Sequence, residues 1–260
     1  MIIKKLLLFL VLHAVSLATI AQINESDTVK FQMRASLTGN YQKGNVEILS
    51  LRSKLDASYA PGKKNFVFKS QNSSLYQAFY SNKVDNDLYS RNFIYYKPEH
   101  TVYTLGIAFI STNYRRKVSI RYFTGGGVTY QPLHTKDHVI KIAFNAIYEQ
   151  TKFKDTVYNF SEYNGSNKID VVRTTLFLGG WSYLLQKHLR LFYDVYWQPS
   201  INNKNNYRLQ VDFNADYPLW KGLFFTAAYT FSHDNIVVDK IKQEDRILSF
   251  GLAYNLKTQK

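Results

Sequence analysis

The chain has 260 residues, no cysteine, and 33 lysines and arginines against 19 acidic side chains, for a formal net charge of +14. The lack of cysteine excludes disulfides, thiolate metal sites, thiol catalysis and a lipid anchor on cysteine. The basic residues are scattered singly through turns and alternating positions, which argues against nucleic acid as a partner and for contact with anionic lipid or small anionic solutes.

The first 21 residues read as a cleaved signal peptide. Lys4 and Lys5 precede a greasy run from Leu6 to Leu12, and Thr19-Ile20-Ala21 offers small residues before Gln22. This divides the chain into a signal, 1–21, and one mature domain, 22–260. No later stretch approaches the roughly 18 continuous apolar residues of a spanning helix. Residues 22–28 are polar and few, which leaves no room for a plug or a periplasmic domain ahead of the first strand. Aromatic residues make up 16% of the chain, with 21 Tyr and 18 Phe, a bias that favours strands.

From Thr28 the sequence alternates with period two. In strand one, Phe31, Met33, Ala35 and Leu37 oppose Gln32, Arg34, Ser36 and Thr38. In strand two, Leu49, Leu51, Leu55 and Tyr59 oppose Arg52, Lys54 and Asp56, so one face must be wet. Strands three (from Asn65) and four (to Tyr96) alternate poorly. Strand five sets Tyr103, Leu105, Ile107 and Phe109, its greasy face, against Thr104, Gly106 and Ala108. Strand six places Val118, Ile120, Tyr122, Val128 and Tyr130 outward and Arg121, Gly125, Gly127 and Thr129 inward. Gly125-Gly126-Gly127 lacks the following helix and Lys-Ser/Thr of a phosphate loop and reads as a strand bend.

Strand seven turns Lys141 and Glu149 inward, and strand eight is apolar on both faces. Strand nine sets Leu189, Leu191, Tyr193, Val195 and Trp197 against Arg190, Phe192, Asp194 and Tyr196. Strand ten, the cleanest, sets Tyr207 to Tyr217 against Arg208, Gln210, Asp212, Asn214 and Asp216. Strand eleven and a closing strand over Arg246 to Leu256 complete the set.

The expected fold class is therefore all-β: a single antiparallel up-and-down transmembrane β-barrel of about 12 strands, each long enough for the roughly 9 to 11 residues of a tilted membrane strand. Short turns alternate with longer loops, as in outer-membrane barrels, if the termini are periplasmic. Two aromatic girdles are expected: Tyr59, Tyr130, Tyr217, Trp220 and Tyr254, with Tyr95 and Tyr183, at the periplasmic ends, and Tyr41, Tyr148, Trp197 and Tyr207 at the other. The competing architecture is a secreted periplasmic β-sandwich.

Gly44-Asn45, the run from Gly125 to Tyr130, Tyr148-Glu149-Gln150-Thr151-Lys152-Phe153 and Trp197-Gln198-Pro199 resemble motifs of the salt-induced outer membrane proteins, an uncharacterised family of β-barrel domains of unknown function. The resemblance implies an outer-membrane barrel and carries no catalytic residues. The chain departs from it in ending on Lys257-Thr258-Gln259-Lys260 instead of an aromatic residue.

By parity the lumen receives Arg34, Arg52, Lys54, Arg121, Lys141, Arg190 and Arg208 against Asp56, Glu149, Asp194, Asp212 and Asp216. This set reads either as cross-strand ion pairs that stiffen the wall, concentrated on strands nine and ten, or as the lining of a narrow, weakly anion-preferring passage. Ser232-His233-Asp234 is the one arrangement reminiscent of a rim hydrolase, but immediate neighbours on a strand point to opposite faces. No catalytic residue, cofactor or metal is assigned. The expected partners are outer-membrane lipid and, during biogenesis, the barrel assembly machinery.

Overall fold

Alternation over twelve segments leaves each strand with one apolar and one polar face, and hydrocarbon offers no partner for an unpaired backbone edge. A computed structural model resolves this by closing the sheet. It describes Glu25 and residues 30–44, 47–62 and 65–258. The expected signal lies outside the described residues. The strands are β1 (Phe31–Gln42), β2 (Ile48–Tyr59), β3 (Phe66–Phe79), β4 (Asn82–Tyr96), β5 (Val102–Asn113), β6 (Val118–His134), β7 (His138–Phe153), β8 (Lys168–Leu184), β9 (Leu189–Pro199), β10 (Tyr207–Trp220), β11 (Leu223–Asp234) and β12 (Glu244–Thr258). Each pairs antiparallel with its sequence neighbours, and β12 pairs with β1 to close one barrel. This excludes the sandwich, which would leave two sheets with edges.

Connections sort by end. At the end where β1 begins and β12 ends they are short, spanning 60–65, 97–101, 135–137, 185–188 and 221–222. At the other end lie 154–167 and 235–243, the two longest. These two loops fold onto each other through a bridge between Tyr158 and Val238. Both residues join Val118, Phe153, Ile169 and Ile236 in an apolar cluster under the loops. The loops thus form a cap on one side of the barrel mouth.

The barrel is apolar outside and charged inside. Leu88 (57% exposed), Phe250 (49%) and Leu248 (62%) stand on the outer wall, while Arg190 (2%), Glu149 (1%) and Asp216 (0%) are buried in the lumen. An exterior apolar on that scale is stable only against lipid. Tyr59, Tyr130, Tyr217, Trp220 and Tyr254 are exposed on the outer wall near the turn end, as are Tyr41, Tyr148 and Trp197 near the loop end. Tyr207 stacks on His233, with centroids 5.5 Å apart.

Three expectations are corrected. The greasy face of β5 points inward: Tyr103 and Leu105 are buried, and Phe109 stacks on lumenal Phe123 at 4.5 Å. Its small residues, Thr104 and Ala108, face out. Tyr95 likewise packs inside, against Tyr103 and Phe93, and Tyr183 packs edge-on against buried Trp181, so neither joins a girdle. Val118 is 2% exposed under the loops because a bulge between Val118 and Ile120 shifts the alternation.

The Gly125–Gly127 run is regular strand, paired with β7 on one side and β5 on the other. A Cβ on Gly127 would sit 2.0 Å from the backbone oxygen of Phe144. Close approach of β7 therefore dictates glycine there. Gly127→Ala is expected to cost about 1–3 kcal/mol through overpacking. The readout is a lower temperature at which the compact, unboiled band on a detergent gel converts to the slower unfolded one.

Candidate functional site

The strand pattern supplies the lumen with polar side chains from every wall, and its charges fall into three levels. At the loop end, Glu149 on β7 receives Arg173 at 3.4 Å and Arg121 at 4.0 Å, and Arg208 reaches it from β10, three strands along the wall. Asp234, at the end of β11, accepts from Arg116 at 2.6 Å and Arg121 at 3.2 Å. Arg116 also donates to Asp245 at 2.8 Å and to the Ser232 carbonyl at 3.0 Å. Its neighbour Arg115 pairs with Asp85 at 2.6 Å and Asp245 at 3.4 Å. The turn between β5 and β6 thus reaches across to β11 and β12. On the outer side of this turn, Lys117 holds Asp155 at 3.1 Å. The Thr156 amide and the Lys117 ammonium together keep the Asp155 carboxyl below the usual carboxylate range.

In the middle, a cavity of about 230 Å³ is lined by Arg52, Lys54, Arg91, Asp194 and Asp212 together with aromatic rings. Arg91 donates to the Tyr196 hydroxyl at 2.9 Å, and its guanidinium lies 4.5 Å from that ring's centroid. Arg52 donates to Thr230 at 3.0 Å. Among the described residues neither arginine has a carboxylate within ion-pair distance, and neither Asp194 nor Asp212 has a cation that close, so charges of both signs face the cavity. Asp212 accepts from Thr230 and Gln210. Asp56 lines a smaller adjoining space of about 80 Å³ with Arg34, Lys54 and Asp194.

At the turn end, Asp216 is shared by Arg34 at 2.9 Å and Arg190 at 3.0 Å. Arg190 also lies over Phe192 at 4.5 Å. Beside them Lys141 pairs with Glu25 at 2.6 Å, Lys69 approaches Glu25 at 3.5 Å, and Tyr103 donates to it at 2.9 Å. Glu25, which precedes β1, is thus 4% exposed inside the lumen.

All twelve charged residues selected by parity line the lumen, but they do not pair as the register suggests. Within the β9–β10 wall only Arg190 and Asp216, directly opposite, bond to each other. Asp194 stands opposite Asp212, a like pair. Arg34 faces Asp56 in register yet bonds Asp216. The ion pairs run across the lumen as well as along the wall. Period two shows which residues face inward but not which opposite strands meet. Arg91, Arg115, Arg116, Arg173 and Glu25 were therefore missed, although the Arg115-Arg116-Lys117 run was a visible charge cluster.

Ser232-His233-Asp234 does not assemble. Arg116 binds Ser232 and Asp234 at the lumen mouth, while the His233 ring stacks on Tyr207 of the adjacent strand.

These features define a twelve-stranded β-barrel of the outer-membrane type with a charge-crossed lumen. The chain belongs to the family described as protein of unknown function, DUF481, whose match spans residues 35–256. No curated protein matches the sequence. Among solved structures, the NanC porin is similar in fold, with a TM-score of 0.50 at 11% identity over 86% of this chain and 100% of that one. The translocator domain of the autotransporter NalP from Neisseria meningitidis gives 0.44 at 11% identity over 97% of this chain and 94% of that one. The β-domain of the Bordetella autotransporter BrkA gives 0.42 at 10% identity over 87% and 98%.

Removing the carboxylate at the centre of the loop-end network would leave buried cations facing one another. Glu149→Gln is expected to destabilise the barrel by about 3–5 kcal/mol. Asp170→Asn, on the exposed outer rim, should change stability by less than about 0.5 kcal/mol. Urea unfolding of the protein in lipid vesicles, followed by tryptophan fluorescence, separates the two.

Proposed function

We propose that the protein is an outer-membrane barrel whose lumen passes or holds small anionic solutes and is too narrow to act as an open pore. The observation that carries this reading is the bridging of the loop-end mouth by Arg116, Arg121 and Arg208, held by Glu149 and Asp234 of the facing strands. Behind that barrier, the cavity lining carries nine lysines and arginines, Arg52 and Arg91 among them, against six acidic residues, an excess that favours anions over cations. Sealing the mouth with ion pairs also stiffens the wall, so the same residues serve a structural role in the envelope. In this reading the end where β1 begins and β12 ends is periplasmic and the long loops lie outside the cell. The rim-hydrolase alternative finds no support in Ser232-His233-Asp234, whose histidine points away from its neighbours.

Planar-bilayer recording tests the proposal. The expected result is a small conductance whose reversal potential in a salt gradient favours anions. Arg116→Ala combined with Asp234→Ala, which removes a bridge and its counter-charge together, should raise the conductance several-fold. A wild-type conductance typical of wide porins, or a preference for cations, would overturn the reading.

A further inference from the structure

The outer wall is not uniform. On β10 to β12 the outer face at mid-strand is apolar throughout, with Phe213, Phe225, Tyr229 and Phe250 around Ala215 and Ala227. On β3 and β4 the corresponding positions are Ser70, Asn72, Ser90 and Asn92. On β5 beyond them, Asn92 stands opposite Ala108 and Ser90 opposite Ile110, and Ala108 in turn stands opposite Thr124 of β6.

The four polar residues form a square. Asn72 stands opposite Ser90, and Ser70 opposite Asn92, in the β3–β4 register. Asn72 Nδ2 donates to Ser70 Oγ at 3.0 Å, Ser70 Oγ to Asn92 Oδ1 at 2.8 Å, and Asn92 Nδ2 to Ser90 Oγ at 3.0 Å. The chain of bonds ends at Ser90, whose hydroxyl has no acceptor among the described residues, and begins at Asn72, whose Oδ1 has no donor among them. Aromatic pairs mark the two ends of the wall, Phe66 with Tyr96 at 5.1 Å and Phe79 with Tyr80 at 4.7 Å. Asn72 lies midway, about 20 Å along the strand from either end at the usual rise per residue. That is hydrocarbon depth, where a primary amide is costly unless it is hydrogen-bonded and lipid tails supply neither donor nor acceptor.

From this we infer that the β3–β6 wall is an intramembrane contact surface and that its occupant is a second copy of this chain. The argument for a second copy is self-complementarity. A two-fold axis along the membrane normal, passing between β3 and β4, exchanges left and right while keeping height. It brings the Asn72 carbonyl of one copy toward the Ser90 hydroxyl of the other, and does so twice. Each open end of the hydrogen-bond chain thereby meets the group it lacks, as an isologous interface requires. Ala108 and Thr124, beside Asn92, add little bulk where the two walls meet. The square carries no charge, so a charged partner gains nothing there.

Because the chain has no cysteine, single introduced thiols report on this surface without background. Ser74→Cys and Leu88→Cys, a register pair outside the bonded square but beside the proposed axis, would each be produced as the full chain in native outer membranes and oxidised with copper phenanthroline. Both should give a band of twice the monomer mass containing only this chain, whereas Leu248→Cys on the opposite wall should not. Adding Asn72→Leu and Asn92→Leu suits the wall to lipid. It should leave the compact, heat-modifiable monomer intact and reduce the cross-linked fraction at least tenfold. Three results would overturn the inference: no cross-link at either position in folded protein, equal cross-linking at Leu248→Cys, or a product containing a different polypeptide. Retention of the cross-link after the leucine substitutions would overturn it as well.

Discussion

Everything in this structure follows from the inability of hydrocarbon to hydrogen-bond a peptide group. A strand placed in such a medium must have a neighbour on each side, and twelve strands achieve this only by returning to the first. Closure then inverts the usual arrangement of a folded protein. The apolar residues go outside, and the enclosed space receives every charged side chain that parity turns inward.

A lumen filled this way cannot leave its charges isolated, because a buried charge without a partner is strongly destabilising. The chain meets the requirement with a few shared carboxylates. Glu149 serves three arginines, Asp234 serves Arg116, Arg121 and Arg208, and Asp216 serves Arg34 and Arg190. Such sharing suits a chain with an excess of basic residues. It places the ion pairs at the two ends and leaves the middle, where Arg52 donates to Thr230 and Arg91 to Tyr196, to neutral hydrogen-bond partners.

Strand number, strand limits and the inward set of charged residues were readable because a wet lumen and a lipid exterior impose period two on each segment. The reading failed where that contrast disappears. On β5 both environments are apolar: Tyr103, Leu105 and Phe109 fill the lumen beside other rings while Ala108 faces out, so the rule that the greasier face meets lipid gives the wrong side. On β3 and β4 the exterior itself is polar, which made Asn92 and Arg91 look equivalent. The bulge at Val118 was invisible because a single inserted residue leaves no mark in composition. The pairing of Arg208 with Glu149 lay beyond any local pattern, since it joins strands that stand three apart in the closed sheet.

Arg34 has a role in how the two ends of the sheet find each other. It sits on the first strand, opposite Asn255 of the last, donates to that asparagine at 3.1 Å, and also reaches Asp216 on β10. A seam slipped by one residue would turn Tyr254 and Leu256 into the lumen, and one slipped by two would carry Asn255 about 6–7 Å away along the strand. The first and last strands therefore recognise each other by side chain as well as by backbone. The joining step carries its own check on register, made from inside the barrel by a residue near the beginning of the sheet.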